Sequence, residues 1–202
     1  MKQTPAELIA TAYQFYPRGL EETDPRYKDS EEHRRLVQAR LQASVEGNPW
    51  MTLLDRLQTR FPDNMVQNDS QHLPTGQNDA GYLGLLWLPT RGPHEKSHQL
   101  GFLISFLVPA YVLYSAANVL APTTKPYPTA RHITLTLSPD EEPYARALTD
   151  EILAVFPGFE PLSPEVGNLP VPEVVSGIKS QGDRTLYQCL FTDLYWARQL
   201  MP

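Results

Sequence analysis

Side chains able to do chemistry are few and scattered along this 202-residue chain. Its one cysteine, Cys189, would act as a nucleophile only beside an imidazole that activates it and a carboxylate that orients the ring. His132 and Asp193 are the residues that would complete such a set. Cys189 lies in the apolar run 186–191, which reads as a core strand, and free cysteine is among the most buried residue types. A structural thiol is expected. His94 and His98 stand four apart, the spacing of two metal ligands on one helix face. Gly92 and Pro93 make that segment a loop, and no HExxH pattern accompanies it. His72 and Asp69 are similarly isolated. A lone cysteine also forms no intramolecular disulfide and no cysteine-based metal site.

Asp140, Glu141 and Glu142 are three consecutive carboxylates that would suit acid–base work or a cation. Such a run is more often the acidic first turn of a helix, stabilised by the helix dipole. The chain carries no P-loop, GxGxxG, GxSxG or EF-hand pattern. The expectation is therefore no enzyme, no cofactor and no metal.

Charge distribution points to a partner instead. Lys+Arg and Asp+Glu cancel over residues 1–137, so the whole net charge of −6 falls in residues 138–202. An acidic C-terminal third repels phosphates, which argues against nucleic acid, and steers a cationic protein. Near the end, Tyr187, Phe191, Tyr195 and Trp196 lie beside Asp183 and Asp193. Aromatic anchors with charged neighbours are typical of interfaces, although the same residues would also cap the core. The candidate partner-binding residues are Asp140, Glu141, Glu142, Asp183, Asp193, Tyr195 and Trp196.

The elements that position these residues follow from periodicity and punctuation. Thr4-Pro5-Ala6-Glu7 combines an N-cap, a proline at the first helical position and a capping glutamate, with Leu8, Ala12, Phe15 and Tyr16 as the apolar face. A second helix is expected from about Asp29 or Ser30 to Gly47, with Val37, Leu41 and Val45 as its buried stripe. A third, opened by Pro49 and stopped by Pro62, carries Trp50, Leu53, Leu54, Leu57 and Phe61. From residue 80 the period changes to that of strands, in 80–88, 99–108, 110–116 and 131–137. Ser138-Pro139-Asp140-Glu141 reads as a capping box for a helix with Tyr144, Leu148, Ile152 and Phe156 inward, ended by Pro157-Gly158. The last element, 184–191, reads as a strand returning to the sheet.

Prolines, 20 in all against an average usage of roughly 5%, cluster in 122–128 and 157–172, which are expected as extended loops. The uncharged stretch 99–124 is long enough to cross a bilayer. Pro109, Ser105, Tyr111, Tyr114, Ser115 and Asn118 interrupt it, and buried strands are the preferred reading. The N-terminal MKQTPAELIA has no signal-type apolar region, and with the single cysteine this fits a reducing cytoplasm. The expected fold is α+β: a single domain, 1–202, with a helical portion 1–62 and a sheet-plus-helix portion 80–202. An antiparallel meander carries the N-terminal helices and one further helix.

Four segments resemble a known family in the same order: FLISFLVPAYVLYS, ITLTLSPDEEPYARALTDEILAVFPG, GFEPLSPEVGNLPVPEVV and RTLYQCLFTDLYW. They span roughly residues 98–196 and are similar to myxobacterial immunity proteins encoded beside lipoprotein toxins. Gln188, uncharged before Cys189, departs from the acidic residue expected there. The resemblance implies a cytoplasmic protein that binds and neutralises a cognate toxin. The alternatives are a protein-interaction or regulatory module unconnected with toxins, and an enzyme without a recognisable motif.

Overall fold

A computed structural model describes residues 3–45, 49–70, 80–92, 95–120, 129–175 and 182–192. The helices are α1 (Pro5–Phe15), α2 (Pro25–Asp29), α3 (Glu31–Ala43), α4 (Pro49–Arg60), α5 (Glu142–Val155), α6 (Pro164–Gly167) and α7 (Leu186–Leu190). The strands are β1 (Val66–Asn68), β2 (Gly81–Leu88), β3 (Glu95–Ser105), β4 (Ala110–Leu120), β5 (Thr129–Thr134), β6 (Glu160–Pro161), β7 (Pro170–Val175) and β8 (Asp183–Thr185). The class is α+β, as expected. Strands β1 to β5 form an antiparallel meander in chain order, and β6 adds in parallel to the start of β4. Strands β7 and β8 form a separate two-stranded sheet.

Helices cover both faces of the meander, and strand alternation divides the core accordingly. Leu83, Leu85, Leu103, Val112, Tyr114 and Ala116 face one way and pack with Leu8, Ala12 and Tyr16 of the first helical segment and with Leu186, Cys189 and Leu190 of α7. Tyr82, Leu86, Leu100, Phe102, Ile104 and Tyr111 face the other way, against Trp50, Leu53 and Leu57 of α4 and Leu148 and Ile152 of α5. Each fully buried leucine contributes roughly 1.5–3 kcal/mol. Strands β3 and β4 are thus apolar on both faces, which explains the bilayer-like stretch. Among the described residues no helix is long and apolar enough to cross a membrane.

Local signals act as read at α1, where Thr4 and Glu7 form a reciprocal capping box. At α5 only half the box exists. Ser138 N–H and Oγ–H donate to Glu141 Oε2, at 2.7 and 2.9 Å, and the helix starts at Glu142.

Three expectations are corrected. On α3 the buried residues are Leu36, Arg40 and Ala43, while Val37, Leu41 and Val45 are exposed. The helix carries two apolar lines, and the one that α1 and the sheet require is Leu36–Ala43, with the Tyr82 hydroxyl donating to the Ala43 carbonyl at 3.0 Å. Residues 184–191 do not return to the meander: β8 pairs with β7, and Thr185 then caps the short helix α7. The capping box of Thr185 and Gln188 turns the chain before a strand can continue. Finally, the proline-rich stretch 157–172 contains the one-turn helix α6 and the start of β7. The cluster 122–128 lies outside the described residues.

Candidate functional site

The described members of the expected site set lie on separate elements. Asp140 and Glu142 are exposed at the start of α5, and Asp183 is exposed on β8, where its Oδ1 accepts from Glu173 N–H at 3.1 Å. Asp193, Tyr195 and Trp196 lie outside the described residues. Tyr187 and Phe191, open between interface and core from sequence, are buried core residues. Cys189 is fully buried, on α7 and not on a strand. His132 is exposed. Its neighbour Ile133 packs into the same cluster as Cys189, so alternation along β5 points His132 to the opposite face. His72 and His94 lie outside the described residues. Among the described residues no group of three His, Cys, Asp or Glu is arranged to hold a metal ion.

Glu141 leaves the surface set altogether. Its side chain is 1% exposed, so it cannot serve as an interface rim charge. Oε1 accepts from His98 Nε2 and from Arg91 Nη2, each at 2.7 Å. His98 Nδ1 lies 3.1 Å from the Pro89 carbonyl. Arg91 Nη2 also contacts His98 Nε2. Burial by itself pushes the Glu141 carboxyl up. Hydrogen bonds from Ser115, His98 and Ser138 outweigh it and hold the group down at about 2. This cluster ties the β2–β3 hairpin to the start of α5. No local pattern could reveal it, because His98 and Glu141 are far apart in sequence and only the fold joins them.

Two surface features remain. Val37, Leu41 and Val45 are 38%, 44% and 60% exposed and recur every four residues, so they form an apolar ridge along one face of α3 and the turn after it. Its periodicity is plain in the sequence, but periodicity alone does not say which of two apolar lines on α3 faces the core. The second feature is a cleft of about 180 Å³ between the start of α1, the start of β4, β6 and α6. Leu8, Pro109, Ala110, Pro161, Leu162 and Val166 supply apolar lining, with Gln3, Glu160 and Ser163 as polar members. It exists because β6 pairs alongside β4, Leu162 N–H donating to the Tyr111 carbonyl at 2.9 Å, before Ser163 caps α6 and turns the chain away.

Comparison with known proteins gives no match to this chain among family models, curated proteins or solved structures.

Proposed function

We propose that this protein is an immunity protein that binds a cognate, cationic protein toxin in the cytoplasm and neutralises it. The resemblance of residues 98–196 suggests the biological role. The observation that carries the binding mode is the exposed ridge of Val37, Leu41 and Val45. Apolar side chains lined up at helical spacing on a surface are what a protein partner covers. Exposed Asp140, Glu142 and Asp183 would attract a cationic partner at long range.

The experiment is co-expression with the neighbouring gene, scored by growth and by co-purification. The parent protein restores growth and retains the toxin. A Val37→Asp, Leu41→Asp double variant keeps its melting temperature and loses about 2 kcal/mol or more of affinity, roughly thirtyfold. Undiminished protection by that variant removes the ridge from the interface, and no protection by the parent removes the immunity reading.

A further inference from the structure

We infer that the cleft between α1, β6 and α6 is a socket for one apolar anchor side chain flanked by lysine or arginine, presented by a protein partner. Its volume sets the class of occupant. About 180 Å³ falls below the roughly 300–1,000 Å³ of small-molecule and cofactor sites, and is on the scale of one side chain. Its lining sets the chemistry. Leu8, Pro109, Ala110, Pro161, Leu162 and Val166 offer an apolar interior, and Gly158 leaves one part of the wall bare.

Charge sets the flanks. Glu160 lines the cleft, and among the described residues no lysine or arginine does. Glu7 and Glu165 sit next in sequence to the lining residues Leu8 and Val166, and both are exposed. Two helix N-termini approach the cleft, and their dipoles would ordinarily favour an anion. Those ends are already occupied. Thr4 N–H and Oγ–H donate to Glu7 Oε2, at 2.7 and 2.9 Å. Hydrogen bonds from its own backbone N–H and from Ser163 hold the Glu165 carboxyl below its usual range. Glu160 is thus the carboxylate on the cleft wall, and a cationic flank is its complement.

The socket is separate from the α3 ridge. It rests on the reading of this chain as a protein-binding protein, but not on that partner being a toxin. Its test needs no partner. Acetyl-Lys-Phe-Lys-amide, acetyl-Glu-Phe-Glu-amide and acetyl-Lys-Gly-Lys-amide are titrated into the ¹⁵N-labelled full chain, and amide shifts are followed by NMR. Lys-Phe-Lys is expected to saturate shifts at Ala110, Leu162 and Val166, with the other two peptides about tenfold weaker or worse. Glu160→Lys should reverse the preference between the two phenylalanine peptides. Val166→Arg, with its fold checked by melting, should abolish binding. Equal binding of the acidic and basic peptides, shifts confined to other surfaces, or a Glu160→Lys protein that still prefers Lys-Phe-Lys overturns the socket. A chain that protects cells yet binds no peptide sinks the socket alone. One that binds the peptide yet fails to protect sinks the toxin reading alone.

Discussion

Glu141 shows how much one carboxylate can hold. Its pKa is lowered from 4.5 to about 2, so the folded state binds its proton less readily than the unfolded chain. The linked stability is fully present above pH 4.5 and is lost as pH falls from there toward 2, on the order of 3 kcal/mol in total. Urea melts at pH 6, 4 and 3 should show this loss in the parent. Glu141→Gln should be destabilised at pH 6 by a similar amount and should lack that component of the pH slope. Parallel slopes in the two proteins would mean that the cluster of Arg91, His98 and Ser138 does not hold the carboxylate as described. Glycine tells a similar story by its missing carbon. An added Cβ at Gly101 would stand 1.9 Å from the Tyr114 ring directly across the ladder, and one at Gly84 would stand 2.2 Å from Phe102. Overpacking of this kind costs roughly 1–3 kcal/mol. Gly101→Ala should lower the midpoint of denaturation accordingly, while Gly92→Ala, with nothing within 4 Å, should change stability by less than about 0.5 kcal/mol.

At the scale of elements, the contrast between Leu36 and Leu41 is the sharpest check on α3. Leu36 is fully buried and Leu41 is 44% exposed. Leu36→Ala should cost about 2–5 kcal/mol in chemical denaturation, and Leu41→Ala well under 1 kcal/mol. Equal costs would place the helix in the phase that periodicity alone suggested. That phase is where the sequence was ambiguous. Trp50, Leu53, Leu54, Leu57 and Phe61 admit one apolar face on α4, and all are buried. On α3, Leu36 and Ala43 compete with Val37, Leu41 and Val45, and what chooses between them is tertiary: α1 on one side and Tyr82 reaching Ala43 on the other. The strands were legible because alternation is local. The turn of the chain at Thr185 was not, because the β-branched and aromatic residues around Cys189 suit a strand until the capping contact with Gln188 is seen. Nor could spacing foretell the cleft, since β6 finds β4 from some 50 residues away in sequence. Cys189 should react with an alkylating reagent only on unfolding, and labelling of the native protein as fast as of the denatured one would contradict its burial.

For the whole molecule, the unequal spread of charge matters more than its sum. Asp140 and Glu142 remain exposed charges of the acidic third, and Glu141 must be left untouched in any test of steering. Asp140→Lys with Glu142→Lys should slow association with a cationic partner at low salt. The difference from the parent should vanish near 1 M salt, where the Debye length is roughly 3 Å. Unchanged association at both salt concentrations would remove the start of α5 from the encounter surface. The architecture also has a consequence in time. α1 is made first, yet its inward residues Leu8, Ala12 and Tyr16 share their cluster with Leu186, Cys189 and Leu190. Arg184, wholly buried, reaches back to Glu22 and lies 5.1 Å from the Tyr16 ring. Translation runs at about 5–20 residues per second, so the opening helix waits many seconds for this last part of its cover. A nascent chain halted after Val175 would hold the meander complete but lack α7, leaving the part of α1 that α7 covers open to chaperones until the last stretch emerges.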